Sequence, residues 1–94
     1  MANDVLIPTP LRVYVDKRDV VQVEGNTVGE LLEDLTVKYS DLKKHLYNDD
    51  GRLRSFVNIY LNDDDIRYLD KEATVVKDGD TISIVPSVAG GGDE

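Results

Sequence analysis

The sequence predicts a two-layer α+β domain, with one main helix lying on one face of a mixed sheet of four or five strands. Three observations carry this. Val28, Leu31, Leu32 and Leu35 recur at i, i+3, i+4 and i+7, a single helical stripe. Phe56-Val-Asn-Ile-Tyr-Leu61 and Thr81-Ile-Ser-Ile-Val85 alternate with the two-residue period of strands. Strand patterns stand on both sides of the helix in the chain, so the helix stripe and the apolar sheet face must bury each other.

Each element has its own justification. Val5-Leu-Ile7 reads as a short strand, closed by Pro8 and Pro10, which withdraw ladder donors. Leu11 to Arg18 supports two readings. Leu11, Val13 and Val15 alternate as a strand would, while Pro10 and Lys17-Arg18-Asp19 suggest a loop between hairpin arms. Val20-Val-Gln-Val23 is a second strand, ended by a Gly25-Asn26 turn. Thr27-Val-Gly-Glu30 has capping-box spacing, a hydroxyl for an early amide and a glutamate placed to reach back. The helix follows, with Tyr39 close to its stripe. Ser40 to Tyr47 is a second short helical segment, with Ser40 as its cap and Leu42 and Leu46 inward.

Asn48-Asp-Asp-Gly51 is a turn. In the next strand Val57, Ile59 and Leu61 face the helix, and Phe56, Asn58 and Tyr60 face away. Asn62 to Asp65 is a turn, and Ile66 to Tyr68 a short edge segment. Lys77-Asp-Gly-Asp80 turns the chain into the last strand, with Ile82 and Ile84 inward. This order fits a β-grasp domain over residues 1–86, followed by a flexible glycine tail over 87–94.

Composition narrows the function. Ninety-four residues suit one small domain. Eleven basic and nineteen acidic residues give a net charge of −8. Such a chain repels phosphate backbones and anionic lipid, so neither nucleic acid nor membrane is an expected partner. The acidity suits solubility and steering toward a basic protein face. The first residues lack the basic and apolar regions of a signal peptide, and no apolar run approaches a membrane span. A cytoplasmic chain is the expectation.

No residue set promises catalysis or metal binding. The chain has no cysteine, which excludes disulfides, thiolate zinc sites and cysteine nucleophiles. His45, the one histidine, sits beside two lysines without a nucleophile partner and reads as exposed and non-catalytic. Asp63, Asp64 and Asp65 are consecutive, whereas a calcium loop needs alternating ligands and a distant glutamate, so they read as a solvated turn. No P-loop, GxGxxG or GxSxG motif occurs. The chain is expected not to be an enzyme, with no bound cofactor or metal of its own.

Two features point instead to a partner. Phe56 and Tyr60 fall on the sheet face away from the helix, near Val85, with Pro86 and Val88 next along the chain. Aromatics in such a patch are candidate docking anchors. Past Pro86 comes Ser87-Val-Ala-Gly90-Gly91-Gly92-Asp93-Glu94. Glycines carry the least steric bulk, so this tail could thread a narrow channel in another protein.

Thr27-Val-Gly-Glu-Leu-Leu-Glu-Asp-Leu35, Lys77-Asp-Gly-Asp-Thr-Ile-Ser-Ile-Val-Pro86 and Val88-Ala-Gly-Gly91 resemble the ubiquitin-like sulfur carriers of the MoaD/ThiS family. Phe56-Val-Asn-Ile-Tyr-Leu-Asn-Asp-Asp-Asp-Ile-Arg67 most resembles its CysO-type branch, which delivers sulfide for cysteine synthesis. The resemblance covers almost the whole chain. It implies that an E1-like enzyme binds ATP and adenylates the terminal glycine carboxylate, after which sulfur displaces AMP and leaves a thiocarboxylate. In the cysteine branch that sulfur attacks an aminoacrylate on a pyridoxal-phosphate-dependent cysteine synthase, and a metal-dependent peptidase releases the product. ATP and pyridoxal phosphate are thus cofactors of the partners.

Carried over, Gly90 and Gly91 match the family's closing pair, with Gly91 as acceptor. Gly92, Asp93 and Glu94 depart from the pattern. Either a peptidase removes Gly92-Asp93-Glu94, or Gly92 is the acceptor after loss of two residues. Sister readings are the small subunit paired with a molybdopterin synthase large subunit, or a thiamin-pathway carrier. A ubiquitin-like protein modifier and a non-reactive interaction domain are the other classes.

Overall fold

The computed structural model describes residues 2–55 and 57–86. Five strands form one mixed sheet: β1 (Ala2–Leu6), β2 (Val20–Glu24), β3 (Val57–Leu61), β4 (Asp64–Asp65) and β5 (Thr81–Pro86). Their order across the sheet is β2-β1-β5-β3-β4. The first and last strands lie side by side in the middle and run parallel, while the other neighbours are antiparallel. Helices α1 (Val28–Lys38) and α2 (Ser40–Leu46) cover one face. This is the predicted β-grasp arrangement.

Helix α1 begins as its sequence dictates. Thr27 has extended backbone, and its Oγ1 accepts from the Glu30 amide at 3.2 Å. Glu30 Oε1 reaches back one residue beyond the cap and accepts from the Asn26 amide at 2.7 Å. Gly25 is required just before it: a Cβ there would stand 2.7 Å from Glu30 Cβ. At the far end the Tyr39 amide donates to the Leu35 carbonyl at 2.9 Å, and α2 starts at once.

The core lies between helices and sheet. Val28, Leu31, Leu32 and Leu35 are buried against Val57, Ile59, Leu61, Ile82 and Ile84, as their periodicities require. Leu42 and Leu46 add α2 to the same cluster. Burying a leucine of this kind removes apolar area worth about 1.5–3 kcal/mol from water.

Several local expectations are corrected. The first strand is Ala2–Leu6, starting three residues earlier than the Val5–Ile7 pattern, because β2 offers an antiparallel partner from Leu6↔Val20 to Ala2↔Glu24. The ambiguous Leu11–Arg18 stretch is neither strand nor plain loop. Thr9–Tyr14 is a 3₁₀ helix that buries Leu11 and leaves Val13 exposed. Ser40 does not cap α2; it is the first helical residue, behind Tyr39, and makes no side-chain cap bond. The edge strand is Asp64–Asp65, and Ile66–Tyr68 is instead a 3₁₀ turn that buries Ile66.

The Lys77–Asp80 turn is anchored by the first strand. Gly79 takes φ +86°, a left-handed value that suits glycine. Buried Asn3 donates through Nδ2 to the carbonyls of Lys77 and Asp80, each at 2.9 Å. This turn thereby fixes where β5 begins.

Candidate functional site

The strand registers assemble the sheet's outer face. Ser83 stands between Leu6 on one side and Tyr60 on the other, and Tyr60 is paired in turn with Asp65. One step along, Val85 is opposite Asn58. Leu6 and Val85 are exposed, while Asn58, Tyr60 and Ser83 are half-buried. The face is thus apolar at Leu6, Tyr60 and Val85, with polar groups between them.

Its margin is charged. Asp65, nine-tenths buried, accepts from Arg67 three ways: Nη2 to Oδ2 at 2.8 Å, Nε to both oxygens at 3.2 Å, and the backbone amide to Oδ1 at 2.9 Å. These bonds hold the Asp65 carboxyl below the usual carboxylate range, with the guanidinium the larger cause. Arg67 Nη2 also donates to Asn58 Oδ1. Asp65 is therefore no part of a solvated turn, although Asp63 and Asp64 are exposed. Among the described residues no group of three acidic or histidine side chains is placed to hold a metal ion.

Of the predicted docking residues, Tyr60 and Val85 share the outer face. Pro86 closes β5 directly opposite Val57. Phe56, Val88, Gly90, Gly91, Gly92, Asp93 and Glu94 lie outside the described residues. Sequence reasoning placed Asn58 on this face and missed Leu6 and Arg67. The alternation of β1 places Leu6 opposite to Val5, but nothing local to it announces β5 as its neighbour.

At the end of the sheet where β5 finishes, a cleft of about 370 Å³ is lined by Leu11, Lys44, His45, Arg54, Val57 and Pro86. His45 is not simply exposed. It is half-buried, its ring stacks on Tyr14 at 4.1 Å, and its buried Nε2 has no hydrogen-bond partner among the described residues. Burial first, then Lys44 and Arg54, lowers its pKa, with Asp41 opposing. A hollow of about 420 Å³ opens farther along, between the Gly51–Ser55 turn and Ile66. Tyr47, pushed up to about 12 by burial and then by Glu72 and Glu33, stays a neutral phenol.

The ThiS family model matches residues 5–91. The chain belongs to the ThiS family. The sulfur carrier protein CysO of Mycobacterium tuberculosis is 42% identical over 89 residues, covering 93% of this chain and 96% of its own length. A chain of the Amycolatopsis orientalis BexX/CysO complex superposes with a TM-score of 0.86 at 38% identity, covering 95% of this chain and 99% of its own. Small archaeal modifier protein 3 of Haloferax volcanii is 40% identical over 89 residues, covering 86% of this chain and 96% of its own. The ThiS-family chain is a ubiquitin-like sulfur carrier and not an enzyme. Among the described residues, no helix is long and apolar enough to cross a membrane.

Proposed function

We propose that this ThiS-family carrier bears sulfur as a thiocarboxylate on Gly91 and delivers it for cysteine biosynthesis. The observation that carries the reading is the 42% identity to a CysO sulfur carrier over 93% of the chain. The absence of cysteine supports the chemistry, since no side-chain thiol can hold the sulfur. The family match that ends at residue 91 supports Gly91 as the acceptor.

A free carboxylate is a poor electrophile. An E1-like enzyme with ATP converts it to an acyl adenylate and releases pyrophosphate. Hydrosulfide then adds to the carbonyl carbon, AMP leaves with the bonding pair, and a thiocarboxylate remains. Its sulfur attacks the electrophilic alkene held by a pyridoxal-phosphate enzyme, the chain end shifts from sulfur to nitrogen, and a metal-dependent peptidase hydrolyses the resulting amide. The carrier supplies the handle, and the outer face around Tyr60 and Val85 seats it on these enzymes.

Gly91 becomes an end only when Gly92-Asp93-Glu94 is removed. Three forms test this: the full chain, one ending at Gly91 and one ending at Gly92. Each is incubated with the E1-like enzyme, ATP and sulfide, and its mass is read for replacement of one oxygen by sulfur. The form ending at Gly91 should gain sulfur and the full chain should not. Loading of the full chain with its last residues attached would show that trimming is not required, and loading of the Gly92 form alone would move the acceptor.

The likeness to a small archaeal modifier protein favours a second reading, in which the same glycine is joined to lysines of other proteins. Isopeptide-linked conjugates of this chain in cell extract would mark that role.

A further inference from the structure

We propose that the cleft at the end of β5 is a docking socket for an acidic segment on the rim of the enzyme channel that takes the tail. The inference rests on the carrier reading above and adds to it the charge of the partner surface. Position comes first. Pro86 lines the cleft and precedes Ser87-Val-Ala-Gly90 in the sequence. An enzyme that draws the following residues into a channel must bring the channel's rim against whatever surrounds Pro86.

Charge then selects the rim. The whole chain is at −8, yet Lys44 and Arg54 line this cleft and, among the described residues, no acidic one does. Neither cation is in an ion pair among the described residues, where the pairs are Lys38–Asp34 and Arg67–Asp65. Arg54 is also held in place: its Nε donates to the Lys44 carbonyl at 2.9 Å, and its backbone amide to the Leu46 carbonyl at 2.8 Å. A guanidinium fixed this way offers its remaining donors with little further ordering cost. Asp41 is the acidic group whose field reaches His45 against these cations.

The floor of the cleft fits a buried contact. Leu11, Val57 and Pro86 give it apolar walls, and His45 brings a buried Nε2 that lacks a partner among the described residues. Such an atom is costly to leave unpaired, and a carboxylate-bearing segment seated there could satisfy it with its own backbone or side-chain groups. A basic rim would instead meet Lys44 and Arg54 head-on and be rejected.

The test uses the form ending at Gly91 with the same organism's E1-like adenylating enzyme, following ATP–pyrophosphate exchange at low and high salt. Lys44 is exposed, so Lys44→Glu leaves the core intact, and Arg54→Gln removes the second charge. Lys44→Glu should raise the KM for the carrier by about tenfold or more with kcat unchanged, and should flatten the dependence of KM on salt. Lys44→Arg should restore both. Unchanged KM in Lys44→Glu and Arg54→Gln, with exchange by the unmodified form intact, overturns the socket and leaves the carrier reading standing. No exchange by the unmodified form overturns both.

Discussion

Asn62 and Asp80 clasp the turn between β3 and β4 to the turn that starts β5. Asn62 Nδ2 donates to Asp80 Oδ1 at 3.1 Å, and Asn62 Oδ1 accepts from the Thr81 amide at 3.0 Å. Asn62 adopts φ 57°, a left-handed conformation that asparagine tolerates better than most residues. Asn62→Ala should therefore lose both bonds and add backbone strain, lowering stability by about 1–3 kcal/mol in urea unfolding. Asn62→Gly keeps the conformation and should cost less. Equal losses in the two variants would show that the backbone is not strained there.

Leu32 is fully buried between helix and sheet. Leu32→Ala should destabilise the domain by about 2–5 kcal/mol, the transfer term plus the cavity it leaves. A midpoint of urea unfolding indistinguishable from the unmodified protein would contradict the core described above.

Tyr60 sits on the outer face between Ser83 and Asp65. Tyr60→Asp places an unpaired charge in the expected contact and should weaken binding to the E1-like enzyme by about tenfold or more. Tyr60→Ala, which adds no charge beside Asp65, separates lost contact from repulsion. Calorimetry on folded variants checks both, and unchanged affinity in the pair would move the interface off this face.

Acid should unfold the protein through a small set of aspartates. Lys38 and then the Glu24 amide hold Asp34 below the usual carboxylate range; Arg67 does this for Asp65; the Lys77 amide and then Asn62 do it for Asp80. Folded values lie below unfolded ones, so the unfolded chain takes up protons first as pH falls. Their stabilisation is complete above the unfolded carboxylate value of about 4 and is lost as pH drops through the folded values. Urea midpoints should hold steady down to about pH 5 and then fall. Asp80→Asn should show a shallower acid limb, and an unchanged limb would assign the proton uptake to other groups.

Helix α1 is legible in the sequence because every cue for it is local: the Thr27 hydroxyl three residues before the Glu30 amide, and leucines spaced for one face. The inward faces of β3 and β5 are legible for the same reason, since alternation needs no partner to be seen. Tyr60 and Val85 could be placed on one outer face from that alternation alone. Ser40 misled because its residue type suits a cap, while the abrupt α1–α2 junction gives that position to Tyr39.

The rest was decided by the tertiary structure. Leu6 joins the outer face only because the first strand pairs with the last, in a register such as Val5↔Ile82 that no local pattern encodes. Asp65 leaves solvent only because Arg67 and the Tyr60 pairing enclose it. His45 turns from an exposed side chain into the wall of a cleft because Tyr14, Arg54 and Pro86, from three distant segments, converge on it. Periodicity and caps report what a segment does with its own neighbours in sequence. Which segments meet is fixed by burial and strand pairing summed over the whole chain, and that sum is where the docking face and the tail root come into being.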